Sequence, residues 1–342
     1  MDIADIRREL QAAGARPRHE ALALRAWAHG LPLDAFAQRT ESAFPARLKA
    51  ALPGLAARLA GLATVVAEHP AADGAARRLL GLADGRSIET VLLPRGGLCV
   101  STQVGCAVGC LFCMTGREGL LRQLGSAEII AQVALARSGH AVRRVVFMGM
   151  GEPAHNLDNV LEAITLLGTA GGLGHKNLVF STVGDHRVFG RLPQGPVKPA
   201  LALSLHTTKA GLRRELLPRA PRIEPAELVE LGESYARATG YPIQYQWTLL
   251  EGINDGDDEV QAIAQLLAGR YAVMNFIPYN PVEGLPYRRP SPERAADMAR
   301  ELHRRGVLAK IRRSAAQDVE GGCGQLRART LRGAPLSAGG GA

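Results

Sequence analysis

Three of the chain's five cysteines fall in one short stretch, Cys106-Ala107-Val108-Gly109-Cys110-Leu111-Phe112-Cys113. Their spacing is C-x3-C-x2-C. Thiolates this close on one segment are placed to share a metal centre. Their number is informative, because a cubane iron–sulfur cluster and a structural zinc site each normally take four protein ligands. A [4Fe–4S] cluster held by three cysteines would leave one non-cysteine iron site open to a substrate. On the loop alone two other readings stay open: a zinc site with a remote fourth ligand, and structural thiols that bind nothing.

Whatever fills the open corner has to be brought there by the surrounding elements. Ile88–Pro94 and Leu98–Thr102 read as two strands joined by the turn Arg95-Gly96-Gly97, and the cysteine loop follows at once. A helix is expected over Ser126–Ser138, with Ser126 as N-cap and Glu128 in its first turn. Apolar runs bounded by Gly or Pro then recur at Val145–Met148, Leu178–Ser181, Ala200–Leu205, Ile243–Leu250, Ala272–Ile277 and Val307–Ile311. Helical stretches at Leu157–Leu167, Pro225–Ala238, Asp257–Leu267 and Pro292–Arg304 separate most of them. This alternation predicts an α/β chain with a parallel sheet, curved into a partial (β/α)6 TIM-like barrel.

Residues 1–80 read as a small helical N-terminal domain, with Ile6, Leu10, Leu24, Trp27 and Leu31 at broadly helical spacing. The arginines between them (Arg7, Arg8, Arg16, Arg18, Arg25) fit contact with an RNA backbone or a plain solvated helix face. The barrel with its flanking strands is expected over 81–326. Residues 327–342, ending in SAGGGA, read as a disordered tail.

With 342 residues, 46% of them hydrophobic, the chain can bury a substantial core. No apolar run approaches membrane-spanning length, and MDIADIRREL reads as a charged helix rather than a signal peptide. Few cysteines, three of them clustered, suit a reducing compartment, so a cytoplasmic protein without a membrane partner is expected. The net charge of +9 suits a polyanion, and nucleic acid is the first candidate. A genome-wide bias toward Arg and Ala would produce the same excess.

In a parallel barrel, chemistry gathers where strands end. Here those positions carry Gly149-Met150-Gly151-Glu152-Pro153, Ser181-Thr182-Val183-Gly184, Ser204-Leu205-His206, Glu251-Gly252-Ile253-Asn254-Asp255 and Asn275-Phe276-Ile277-Pro278-Tyr279-Asn280. Singly, each is as readily a cap or a turn former, and His206 alone would read as a satisfied core histidine. Together they read as one polar mouth. Glu152 suits an ammonium, while Ser181, Ser204 and Asn280 suit a carboxylate, ribose hydroxyls or base edges. An amino acid joined to a nucleoside fits, and S-adenosylmethionine (SAM) is such a molecule, with amino and carboxylate groups able to chelate an open iron.

At this point the sequence resembles a known family. C-x3-C-x2-C with Phe112 before the last Cys, followed by the Gly-Glu-Pro strand end, resembles the radical SAM superfamily. More narrowly, LCVSTQVGC, VVFMGMGEP, STVG, SLH, GIND, NFIPYNP and GCGQL follow in the order of the RlmN/Cfr family of RNA adenosine methyltransferases, from about Glu89 to Leu326. The resemblance implies that Cys106, Cys110 and Cys113 hold a [4Fe–4S] cluster. It implies that Gly151, Glu152, Ser181, Ser204, Leu205, His206 and Asn280 bind SAM. Cys323 matches the cysteine that carries the methyl group, Cys99 a second reactive cysteine that removes a proton or resolves the adduct, and Glu89 a proton acceptor. Two SAM per turnover are implied: one methylates Cys323, and the other is cleaved to a 5′-deoxyadenosyl radical that activates this methyl for addition to adenine. A Cys99–Cys323 disulfide would remain on release. Adenine C-2 in 23S rRNA, and also in tRNA, is the implied target, with a monomer and a one-electron reductant such as flavodoxin. C-8 methylation as in the Cfr branch, another RNA substrate, and a non-catalytic zinc RNA-binding protein are the alternatives.

Four segments depart from the family's usual pattern: Leu121-Arg122-Gln123-Leu124 in place of Arg-Asn-Leu, Pro218-Arg219-Ala220 in place of Pro-Ile/Val-Asn, Gln246 where an acid is common, and Ala316-Gln317-Asp318 in place of Arg-Gly-x-Asp. None is a cluster or methyl-carrying position, so the chemistry is expected to survive. The identity of the RNA, the carbon methylated and a diverged paralogue are the matters these departures raise.

Overall fold

The structure, a computed structural model, describes residues 1–37 and 43–327. Helices α1 (Ile3–Ala12), α2 (Pro17–Ala28) and α3 (Ala46–Ala60) open the chain. The helical stretch expected to run to about 80 ends at Ala60. Two strands follow instead, β1 (Ala63–Pro70) and β2 (Ala76–Leu82), paired antiparallel. β1 is a sheet edge and only Ala63 along it is fully buried, so it carries no period-two signal. Leu10, Leu24, Trp27 and Leu48 of the helices belong to the same continuous buried cluster as Ile129, Phe147 and Trp247 further along.

Next come β3 (Ser87–Leu93) and β4 (Gly97–Cys99), joined by a tight turn in which Arg95 and Gly96 both have positive φ. A two-stranded ladder of β5 (Gln103–Gly105) and β6 (Leu120–Gln123) brackets the cysteine loop. Helix α4 (Ser126–Arg137) starts with Gly125, not Ser126, at its N-cap. The Glu128 carboxylate accepts the Gly125 N–H (2.8 Å), while the Ser126 hydroxyl accepts the N–H of Ile3 (2.8 Å).

The remaining strands alternate with helices: β7 (Arg144–Phe147), α5 (Leu157–Gly168), β8 (Leu178–Thr182), α6 (His186–Arg191), β9 (Ala200–Ser204), α7 (Ala210–Leu216), α8 (Pro225–Thr239), β10 (Ile243–Leu249), α9 (Asp257–Leu267), β11 (Ala272–Pro278), α10 (Pro292–Arg304) and β12 (Ala309–Ile311). All but two of these helices, α6 and α7, are expected from the sequence. Both are short, with too few residues to show a helical period.

One sheet runs β1-β2-β3-β4-β7-β8-β9-β10-β11-β12, antiparallel up to β4 and parallel from β4 to β12. Its ends, β1 and β12, do not meet, so the barrel is partial, as expected. Strands β8 and β9 are buried along nearly their whole length, as parallel strands covered on both faces must be. Of the tail expected from Arg327 onward, residues 328–342 lie outside the described residues. Among the described residues no helix is long and apolar enough to cross a membrane.

Candidate active site

Parallel register aligns the strand ends on one side of the sheet, and two adjoining cavities open there. The smaller, of about 150 Å³, is lined by Cys106, Cys110 and Cys113 on one wall and by Gly151, Glu152, Ser181, Ser204 and His206 on the other. Five of the seven expected SAM-binding residues therefore share a cavity with all three loop cysteines. Glycine at two positions keeps the strand end close to its neighbours. A Cβ on Gly149 would lie 2.6 Å from the Val100 carbonyl oxygen, and one on Gly151 (φ +103) 2.6 Å from the Gln103 Cβ.

Glu152 is buried, with one carboxylate oxygen accepting the N–H of Ala154 (3.0 Å) and the other that of Val183 (2.9 Å). Burial still pushes its carboxyl up from 4.5 to about 6. A cation reaching this group would hold it ionised. His206 turns into the cavity through a positive φ of 62°, uncommon for a non-glycine residue. Its Nδ1 accepts the N–H of Thr248 (3.0 Å), which leaves the Nε2 edge for a ligand. Burial, with the nearby Arg213 guanidinium, lowers its pKa to about 3, so the ring is neutral. Phe112 of the cysteine loop packs edge-on against it at 4.9 Å.

Leu205 and Asn280 stand apart from the other five. Leu205 is fully buried and its N–H reaches the Gln246 carbonyl (3.0 Å). Asn280 donates to the Ser314 hydroxyl (2.8 Å) and to the Cys323 carbonyl (3.0 Å), so it touches the C-terminal loop rather than the small cavity.

The larger cavity, about 780 Å³, is lined by Cys99, Cys323, Arg95, Arg312 and Arg313 among others. Cys323 and Cys113 line both cavities. Cys99 is buried and its thiol is pushed up to about 12 by burial and by the neighbouring Cys323; Cys323 itself is exposed, and no disulfide joins the two. Glu89 lines neither cavity. It is fully buried, ion-paired with Arg77, and its second oxygen accepts the N–H of Arg327 (2.9 Å).

Several further residues shape the site, and of these only Asn254 lies in a stretch the sequence singles out. Asn254, fully buried, donates to the carbonyls of His206 (2.7 Å) and Thr248 (2.8 Å) and accepts the Leu250 N–H (2.8 Å), which ties the ends of β9 and β10 together. Behind it, Trp247 donates its indole N–H to the Asn254 carbonyl (3.2 Å). Arg213, also buried, bridges the Val183 and Ser204 carbonyls at the ends of β8 and β9. Arg312 reaches from the end of β12 to the Gln246 side chain (3.1 Å). The longer links among them, Asn254 to His206, Arg213 to Val183 and Arg312 to Gln246, have no local signal in sequence.

The loop cysteines suit a cluster better than a lone ion. Val108, Phe112, Val183, Leu216 and Leu217 pack around them and shed water. Burial raises all three thiols, Cys106 to about 12 and Cys110 well above the usual range, and their mutual repulsion adds to it. A cationic centre would supply the missing counter-charge. Among the described residues no His, Cys, Asp or Glu side chains converge as the ligands of one metal ion. A cubane holds its cysteines at separate corners and does not need such convergence.

Residues 100–267 match the model of the radical SAM superfamily. A probable RNA methyltransferase of Aromatoleum aromaticum is 72% identical over 331 residues, which span 97% of this chain and 93% of that protein. The chain belongs to the radical SAM superfamily. A probable RNA methyltransferase of Pseudomonas aeruginosa is 64% identical over 96% of each chain. The crystal structure of a radical SAM methyltransferase from Sphaerobacter thermophilus superposes with a TM-score of 0.82 at 34% identity, covering 96% of this chain and 98% of that one. Radical SAM membership implies a [4Fe–4S] cluster and S-adenosylmethionine, and the residues around the small cavity fit both.

Proposed function

We propose that this radical SAM protein is an RNA methyltransferase that adds a methyl group to C-2 of an adenine, in 23S rRNA and also in tRNA, with Cys323 as the methyl carrier. The observation that carries the reading is the position of Cys323 on the wall common to both cavities, next to Cys113 of the cluster loop and in one cavity with Cys99. Full-length likeness to proteins named probable RNA methyltransferases supports the substrate class.

In this reading Cys106, Cys110 and Cys113 would hold the cluster, and Gly151, Glu152, Ser181, Ser204 and His206 would hold SAM beside it. Bound there, the two would supply one-electron, hydrogen-abstracting chemistry. Glu152 accepts the SAM ammonium in a site where burial strengthens the ion pair. Neutral His206 offers a hydrogen-bond donor without a charge that would repel the sulfonium. Cys323 takes a methyl from a first SAM as thiolate, and its place between the cavities brings that methyl within reach of the small cavity and of a base in the large one. Cys99, buried in the large cavity beside Cys323, would resolve the adduct as a thiolate: it would take the proton from the base carbon and then attack the Cys323 sulfur, so that the sulfur–carbon bond breaks toward the base and a Cys99–Cys323 disulfide remains. The Arg95, Arg312 and Arg313 side chains favour an anionic backbone at the mouth. A flavodoxin-like donor supplies the electron.

The test is anaerobic reconstitution with iron and sulfide, followed by reaction with SAM, a reductant and 23S rRNA or tRNA, with nucleosides read by mass spectrometry. C-2-methyladenosine is expected, and Cys323→Ala should lower its formation at least ~10³-fold, the scale of losing a covalent nucleophile. C-8-methyladenosine would move the target carbon. Iron-loaded protein that cleaves SAM yet methylates no RNA would overturn the reading, as would stoichiometric zinc with no iron.

A further inference from the structure

The Cys323 loop does not hold its own shape. Between β12 and Arg327 its regular structure is a single 3₁₀ turn, Gln317–Val319. Ala316 (φ 55°) and Glu320 (φ 54°) on either side of that turn are in the left-handed region, which non-glycine residues avoid. A conformation of this kind persists only where neighbours impose it.

At its far end the barrel imposes it. The Asn280 side chain holds the Cys323 carbonyl, the N–H of Met114 holds the Gly324 carbonyl (2.7 Å), and the Thr115 hydroxyl holds that of Leu326 (2.6 Å). At its near end the partner is the turn between β1 and β2. Asp73 accepts the N–H of Ala316 (3.1 Å), and Asp318 accepts the N–H of Ala72 (2.9 Å). The two bonds are reciprocal: each segment offers one carboxylate and one N–H to the other. The other Asp73 oxygen accepts the N–H of Ala75 (3.0 Å), so one carboxylate shapes its own turn and grips the loop. Ala72 and Asp73 also wall the large cavity.

We propose that the β1–β2 turn is the positioning element for Cys323, with Asp73 and Asp318 as positioning residues that fix where its sulfur stands relative to Cys99. The assignment rests on the methyl-carrier role given to Cys323 above. It gives the antiparallel hairpin, which lies outside the superfamily's matched span, a part in the reaction. Without the reciprocal pair the stretch before Cys323 would keep only side-chain tethers, Ser314 to Asn280 (2.8 Å) and Gln317 to Arg289 (2.9 Å), and the sulfur would sweep a wider arc.

The test needs neither SAM nor RNA. Diamide takes two electrons and two protons from a thiol pair, so the rate at which the Cys99–Cys323 link appears, read by peptide mass spectrometry, reports how often the two sulfurs meet. Asp318→Ala removes one cross-bond and leaves the hairpin's own turn intact; Asp73→Ala/Asp318→Ala removes both. The double variant is expected to form the link about tenfold more slowly and to exchange the amides of 316–325 about tenfold faster, on the scale of two exposed charge-assisted bonds. Asp73→Asn/Asp318→Asn keeps an acceptor oxygen at each site and should restore most of the rate. Wild-type linking and exchange in Asp318→Ala and in a folded double variant would overturn the proposal. Loss of RNA methylation in the wild type with normal linking would sink the methyl-carrier role instead.

Discussion

The small cavity is walled by the ends of largely buried parallel strands, and the large one mostly by loops and a hairpin turn. In the first, each polar group is set by a backbone contact next to it: the two N–H groups on Glu152, Thr248 on His206, Asn254 across β9 and β10. In the second, the groups are brought in from far along the chain, as Asp73 is to Ala316 and Cys323 to Cys99. The stiff cavity suits a cofactor that must be held the same way in every turnover. The looser one suits a large substrate whose identity can change while the chemistry stays. One of this chain's departures from the family pattern joins the two: Gln246 lines the small cavity, and its side chain engages Arg312 of the large one.

The comparison can be broken most severely at the cluster loop. Cys110→Ala should abolish iron binding and the brown colour of anaerobically prepared protein, and bring methyl transfer to background. Retained iron would mean that the cavity is not what holds it.

Glu152→Gln comes next. Replacing the buried carboxylate by an amide is expected to weaken SAM binding by about 1.5–3 kcal/mol, or ten- to a hundredfold, by calorimetry. The pH dependence has a definite sign. An ammonium needs the ionised carboxyl, so with that group shifted to about 6 the affinity should be full above that pH and fall below it, by roughly tenfold per unit. Glu152→Gln should flatten this profile. For the folded protein without ligand, ionising Glu152 costs on the order of 2 kcal/mol, a cost absent below 4.5 and fully present above about 6.

Arg312→Ala should act chiefly on the large cavity, which the guanidinium lines, since it reaches the small one only through the Gln246 side chain. Its side-chain partner Gln246 is neutral, so the guanidinium keeps its charge for phosphate. Removing it should weaken RNA binding about tenfold and lower the salt slope by about one, with SAM affinity unchanged. Equal losses for both ligands would erase the distinction between the cavities.

The smallest effect is expected at Ala316→Gly. Left-handed φ costs a non-glycine residue about 1–2 kcal/mol, while added freedom of the unfolded chain returns ~0.5–1 kcal/mol against glycine. A net gain of about 0.5–1 kcal/mol in chemical denaturation follows, at the position where the related family pattern has glycine.

Much of this was legible beforehand, for physical reasons. Buried parallel strands must be continuously apolar and must end at polar residues, so β7 to β11 and five residues of the small cavity could be read from period and punctuation. The cysteine spacing is local and needed no fold at all. What could not be read depends on partners distant in the chain. The β1–β2 hairpin hides behind an exposed edge strand and a stretch rich in Ala and Arg. Asn280 looked like a ligand group because it ends a strand, but its neighbour across the mouth is the Cys323 loop. Glu89 carries no sign in sequence of its ion pair with Arg77 on the neighbouring strand β2. Positive φ at His206 and Ala316 likewise belongs to the assembled site.

The two tryptophans divide the molecule in a useful way. Trp27 lies in the helical layer and Trp247 behind the barrel mouth, and both are almost wholly shielded from water. Each is thus a built-in fluorophore for one part of the fold. Because the two belong to one continuous core, denaturation traces of Trp27→Phe and Trp247→Phe should coincide. Traces that separate would show the helices peeling away while the barrel still emits as native.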